Sequence, residues 1–253
     1  MKKSFLLAIV MLVLSVSASA QYNGFAFGVK LGPAFDWAGS KTNTIHNEGT
    51  RMGFRMGLMG EYYFAENYAI TTGLNVNYLR NHFSYDDMRA FPVDTLSVYM
   101  LGDVDRYYKG TTFEIPIALK MVTEEFGPFS FFAQVGASVG YSRKDLAKDV
   151  FVAKEDANVT YEDDDYVSVR SQYNPFHVGL NAAVGAHFNI KGSTRAFADF
   201  FYSRDILNGV KNGIGSEGRY REYYAGIKQD DMKRPETLDF RQNVFGVEVG
   251  ILF

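Results

Sequence analysis

The side chains of this chain best suited to proton transfer or triad chemistry are His82, Asp86, Asp87, His177 and Asp205. A dyad or triad is defined by the mutual geometry of nucleophile, base and orienting carboxylate, and no spacing among these five specifies one. They read as hydrogen-bonded rim or lumen residues in preference to a lipid- or peptide-modifying site. The chain contains no cysteine, which removes thiolate nucleophiles, disulfides and cysteine-ligated zinc. Oxygen-rich runs occur at Glu155-Asp156 and at Glu162-Asp163-Asp164-Asp165. Divalent cations bind such oxygens, but the spacing is not that of a calcium loop, and a charge run is ordinarily a solvated surface. Neither a metal, nor a cofactor, nor a catalytic residue is assigned.

The N-terminus has the parts of a secretory signal. Lys2 and Lys3 precede an apolar run from Phe5 to Leu14, followed by the small-residue site Ala18-Ser19-Ala20. Cleavage is expected between Ala20 and Gln21, dividing the chain into a signal peptide at 1–20 and one domain at 21–253. Ten apolar residues are too few to span a bilayer, which takes roughly 20 in a helix. Without Lys2 and Lys3, 24 of the 26 basic residues remain against 29 acidic ones. That balance, with no basic stripe, argues against nucleic acid as a partner.

The elements that must position these groups show a period of two. In Phe25 to Phe35, the odd positions Phe25, Phe27, Val29, Leu31 and Phe35 are large and apolar, while Ala26, Gly28, Lys30, Gly32 and Ala34 are small or polar. The same alternation recurs in Met52 to Phe64, Tyr68 to Tyr78, Phe113 to Met121, Phe129 to Tyr141, Phe176 to Phe188, Ala196 to Arg204 and Asn243 to Phe253. The connections alternate too. Stretches 65–67, 122–128 and 189–195 are short, whereas 36–51, 79–112, 142–175 and 205–242 are long. The longest of these mixes Tyr220, Tyr223 and Tyr224 with Arg219, Arg221 and Lys228, which suits protein or glycan contacts.

Alternation alone would also describe a soluble barrel, so the chemistry of the two faces decides. The apolar face carries no charge in any of the eight segments apart from Arg204, the last residue of its segment, and the other face is mostly small, uncharged residues. A Lys or Arg facing lipid at the midplane costs about 2–4 kcal/mol, so a charge-free face fits an exterior in hydrocarbon. Aromatics cluster at the segment ends: Phe25, Tyr62, Phe64, Tyr68, Phe129 and Phe188 at one end, Phe35, Trp37, Tyr78, Phe113, Tyr141 and Phe176 at the other. They make two interfacial belts. Strand edges cannot be left unpaired in lipid, so the last segment is expected to pair with the first.

These features predict an all-β fold: a single transmembrane antiparallel up-and-down barrel of about eight strands, with both termini periplasmic and long loops outside. Its lumen would hold Lys30, Arg55 and Lys120 against Glu61, Glu114, Asp199 and Glu248, with Arg55 near Glu114, Glu61 near Lys120, and Lys30 facing Glu248 across the closing seam. Eight strands enclose a space just wide enough for side chains, so a diffusion pore is not expected.

The segment Tyr107 to Lys120, with Glu114-Ile115-Pro116 at its heart, resembles the "L-E-I-P-L-L-L-K" strand of the Bacteroidetes outer-membrane β-barrel family called PorT-like. Phe27 to Gly32, Gly57 to Phe64, Asp199 to Leu207 and Val244 to Phe253 agree with it. The resemblance implies outer-membrane location, contact with outer-membrane lipids, and insertion by the outer-membrane assembly machinery, with Phe253 as the recognition signal. Most members have no assigned activity, and the name-giving member belongs to the type IX secretion apparatus. The expected role is a non-enzymatic scaffold presenting loops for envelope integrity or envelope-protein partners. An accessory subunit of a secretion or transport complex is the alternative, and a rim-site enzyme the lesser one.

Overall fold

The computed structural model describes residues 24–40, 45–93, 96–154, 158–211 and 239–253, the side chains of 88–99 excepted. The expected signal segment with Ala20 and Gln21, the Glu155-Asp156 pair, and the Tyr/Arg mixture of 219–228 lie outside the described residues. Eight strands form the wall: β1 (Phe25–Gly39), β2 (His46–Ala65), β3 (Tyr68–Val93), β4 (Leu96–Val122), β5 (Phe129–Ala153), β8 (Phe176–Lys191), β9 (Thr194–Asp205) and β10 (Arg241–Leu252). Two short strands, β6 (Thr160–Glu162) and β7 (Val167–Ser168), lie against β5.

Every pairing is antiparallel, and β1 pairs both β2 and β10, so the wall closes into a ring. Backbone hydrogen bonds between Phe27 and Phe253, at 2.7 and 3.2 Å, fasten the seam at its periplasmic end. Closure leaves no strand edge in the hydrocarbon, where an unpaired amide has no water to bond. The outward faces are those read from the alternation. Leu31, Ile70, Ile117, Val135, Leu180 and Val249 are exposed, while their neighbours Glu61, Asn75, Glu114, Lys120 and Glu248 are buried. The belts are built of touching rings, Phe25 on Tyr62 and Phe129 on Phe188 at the periplasmic end, Phe35 on Phe245 and Trp37 on Tyr202 at the other.

One expectation is corrected. The stretches 36–51 and 79–112 are largely strand, and the first part of 142–175 is strand too: β3, β4 and β5 run for 26, 27 and 25 residues. Beyond Tyr78, β3 alone adds roughly 50 Å of strand at about 3.3 Å per residue. The physical reason is a change of solvent. Above the outer belt the exterior meets water, so exposed Arg80 and Asp86 alternate with buried Leu79, Asn81, Phe83, Tyr85 and Asp87.

The inward side chains of that extension form a second apolar core over the barrel mouth. Ala38, Ile45, Phe83, Tyr85, Val104, Tyr108, Ala147, Phe151, Val169, Tyr173, Val210 and Phe240 pack together there. Phe240 is its hub, with ring centroids of Phe83, Tyr173 and Tyr108 at 5.3, 5.6 and 6.0 Å.

Candidate functional site

The lumen is filled by layers of polar side chains. In the layer nearest the periplasm, Lys120 Nζ lies 2.5 Å from Glu61 Oε1 and 2.9 Å from His187 Nε2, and the Tyr63 hydroxyl donates to Glu61 Oε2 at 2.7 Å. Lysine has no acceptor, so His187 Nε2 accepts and Nδ1 carries the proton toward the Ser130 hydroxyl, 3.4 Å away. Lys120 also stands 3.9 Å above the Phe132 ring, whose face is attractive to a cation. Lys120, His187 and Glu61 are almost wholly inaccessible to solvent.

The middle layer joins six strands, β1 to β4 with β9 and β10. Lys30 Nζ is 2.8 Å from Glu248 Oε2, and Arg55 Nε is 3.8 Å from Glu248 Oε1. Asp199 is the direct cross-strand partner of Glu248, an arrangement of like charges that Lys30 and Arg55 offset. Arg55 donates to Asn77 Oδ1 at 2.8 Å, Asn77 donates to Glu114 Oε2 at 2.7 Å, and Arg55 Nη2 approaches the same oxygen at 3.6 Å. The Arg55 guanidinium covers the Phe201 ring at 4.1 Å. Ile115 faces outward and is half-exposed, and Pro116 lines the lumen. The β3–β4 ladder skips the positions opposite Ile115 and Pro116 without a register change, as a residue lacking an amide hydrogen requires.

Charges in the lumen and mouth are more numerous than the seven expected. Asp36, Asp145, Asp149 and Arg106 are buried as well. Arg106 grips Asp149 bidentately at 2.7 and 2.8 Å and donates to Gln172 at 2.8 Å. Tyr108 and Ser142 both donate to Asp145 Oδ1, at 2.5 and 2.6 Å. Burial holds the Tyr85 and Tyr108 phenols well above their ordinary range, so both stay neutral. The hydrogen bond to Asp86 raises Lys154, which lies 2.8 Å from Asp86 and 3.3 Å from Asp103. The continued alternation of Val104-Arg106-Tyr108 and Ala147-Asp149-Phe151 was the signal for this layer in the sequence.

None of this assembles a nucleophile with its base. His82 is exterior: Nε2 meets Asp105 at 2.5 Å, Nδ1 meets Arg51 at 3.1 Å, and the ring stacks on Tyr107 at 4.2 Å. Both nitrogens are engaged, and nearby Ser84 donates to Glu48 at 2.6 Å instead. His177 and Asp205 line a cavity of about 50 Å³ under Phe240 and Tyr173. Deeper, beside Pro116 and Glu248, is one of about 40 Å³. Such volumes hold a few waters and are too small for a lipid or peptide substrate. In the acidic run, Glu162 pairs with Lys148 at 2.7 Å, Asp163 accepts the Asp149 amide at 3.0 Å, and Asp165 accepts the Tyr166 amide at 2.7 Å. Among the described residues, no three His, Asp or Glu side chains converge as metal ligands.

The chain forms a closed eight-stranded ring with a lipid-compatible exterior, and the sequence profile described as outer membrane protein beta-barrel domain matches residues 17–204. The chain belongs to that family. As an outer membrane protein beta-barrel, it resides in the outer membrane with its apolar exterior against lipid. Similar solved structures include Ail of Yersinia pestis, 12% identical with a TM-score of 0.37 over 92% of this chain and 100% of that one. OprG of Pseudomonas aeruginosa is 12% identical with a TM-score of 0.39, over 92% and 97% of the two chains. Neisserial surface protein A is 11% identical with a TM-score of 0.37, over 90% and 96%. A curated chaperone protein DnaJ of Nostoc punctiforme is 33% identical over 94 residues, 37% of this chain. The chain spans about a quarter of that relative's length, a share that assigns neither fold nor activity.

Proposed function

We propose that this barrel is a non-enzymatic scaffold, whose membrane ring anchors a folded extracellular extension serving envelope integrity or contact with partner molecules. The supporting observation is the apolar core above the outer belt: β3, β4 and β5 continue into water and are held there by Phe240 and its neighbours, over a lumen filled by paired polar side chains. The test replaces residues 86–103 with an Asn-Gly turn joining Tyr85 to Val104, which are partners in the native register, and compares this variant with His177→Gln in cells lacking the native protein. Loss of detergent resistance or surface binding should follow the shortened hairpin and spare His177→Gln. The opposite pattern, or large single-channel conductance of the wild type in planar bilayers, refutes the scaffold.

The PorT-like accessory role rests on Glu114-Ile115-Pro116, and these residues lie within the membrane band, where they serve the wall and lumen rather than a surface. Stoichiometric envelope partners after mild detergent extraction would favour that role over a lone scaffold. We assign to Phe253, at the sealed seam, recognition by the assembly machinery during insertion.

A further inference from the structure

The exposed charges just outside the outer aromatic belt are all of one sign. Arg80 is two residues beyond Tyr78 on β3, Arg204 two beyond Tyr202 on β9, and Lys144 pairs with Thr111, two beyond Phe113 on β4. Lys109 is the direct cross-strand partner of Arg80. Arg143 is exposed beside Lys144, and exposed Arg170 donates to the hydroxyl of the belt residue Tyr141 and, at 3.1 Å, to the Arg143 carbonyl. Two residues of strand are about 7 Å, so Arg80, Lys144 and Arg204 stand at headgroup height.

On β2, β3 and β4 the carboxylates of this face begin farther out, at Asp105, Asp103, Asp86 and Glu48, where they engage His82, Lys154 and Ser84, and the exposed Asp164 and Asp165 lie on the segment that carries Tyr166. Among the described residues, Arg80, Arg143, Lys144 and Arg204 pair with no carboxylate. Like charges directly opposite on paired strands are destabilising, so the Arg80–Lys109 pair, with Lys144 diagonal to it, calls for an anion. The chain as a whole carries an acidic excess, which makes this segregation a local feature.

We propose that Arg80, Lys109 and Lys144 form a site for the phosphate of an outer-leaflet lipid headgroup. The site continues the lipid-facing wall at Tyr78 and Phe113, so a lipid whose chains lie on Leu74, Val76 and Ile115 brings its phosphate to these cations. Arg80 offers a planar fork to phosphate oxygens, and the two lysines offer point charges. Lys109 is steadied by the Tyr166 ring, 3.4 Å away.

The full barrel, purified in detergent, is titrated with a bisphosphorylated glycolipid, its dephosphorylated form and inorganic phosphate, and bound lipid is read by native mass spectrometry. Each basic residue at a membrane surface strengthens association with anionic lipid about fivefold before salt screening. The phosphorylated glycolipid should bind at least about tenfold more tightly than the dephosphorylated one, with the triple variant R80Q/K109Q/K144Q losing that preference. K148Q, whose lysine is already paired with Glu162, should keep it. Equal binding of the two glycolipids, or a preference that survives in the triple variant, overturns the site. Displacement by inorganic phosphate at the lipid's own concentration overturns the headgroup as occupant. Heat-modifiable migration reports folding; if the triple variant fails it, K109Q alone carries the test, with about a fivefold loss expected and none refuting.

Discussion

Replacing Lys120 by methionine keeps the length of the side chain and removes its charge from a position with no solvent access. Glu61 then loses its partner at 2.5 Å, and His187 loses the donor at 2.9 Å that fixes its tautomer. Leaving one member of a buried ion pair uncompensated costs about 3–5 kcal/mol. Glu61 keeps the Tyr63 hydroxyl at 2.7 Å, which places the expected loss near the lower end, about 3 kcal/mol. Unfolding from lipid vesicles in urea, followed by the fluorescence of the single tryptophan, Trp37, should show the midpoint falling by roughly 1–2 M. The double variant K120M/E61Q removes both charges and should recover part of that loss, since an uncharged pair leaves no buried ion. A coupling of about 2 kcal/mol between the two sites is expected from residues in direct contact. A K120M midpoint indistinguishable from wild type, or strict additivity in the double variant, would refute the claim that this pair bears on the stability of the lower lumen.

Phe240→Ala should loosen the extracellular core by about 3–5 kcal/mol while sparing the membrane ring. Amide hydrogen exchange is expected to quicken in 79–87 and 104–110, with 26–34 unchanged. Arg106→Met leaves Asp149 buried without its bidentate partner, so limited proteolysis of vesicle-embedded protein should open new cleavages between 86 and 170; an unaltered digest counts against the ion pair's role. Gly250 has room for hydrogen only, because a Cβ there would lie 2.3 Å from the Val29 carbonyl and 2.5 Å from the Phe197 ring. Gly250→Val should therefore prevent closure of β1 on β10, read as loss of the heat-modifiable band.

How much of this was legible before the structure depended on which solvent each stretch meets. Within the membrane band, Phe27-Gly28-Val29-Lys30-Leu31 and its counterparts put every large apolar residue outside, and the period of two then fixed strand number, order and closure. Lys30 with Glu248, and Lys120 with Glu61, could be matched because strand ends set their heights, and barrel shear shifted them too little to part them. The contacts completing those layers were less visible. Nothing in sequence separation joins Lys120 to His187 or Asn81 to Gln242, since such bonds depend on side-chain reach between strands that are not neighbours.

The outer halves of β3, β4 and β5 were read as loops for a physical reason that also explains their stability. A membrane barrel is apolar outside and polar within, so the search for strands was a search for that polarity. Past Tyr78 water replaces lipid, and the same strands turn to the polarity of a soluble barrel: Arg80, Ser84 and Asp86 face outward, Phe83 and Tyr85 inward. The period of two persists while its phase with respect to hydrophobicity inverts. In β3 the inversion falls between Tyr78, the last outward aromatic of the belt, and Leu79, a buried aliphatic residue pointing inward. That inversion marks the membrane boundary along the chain, and the unpaired cations Arg80 and Lys144 stand at it, where an exterior built for hydrocarbon gives way to one built for water.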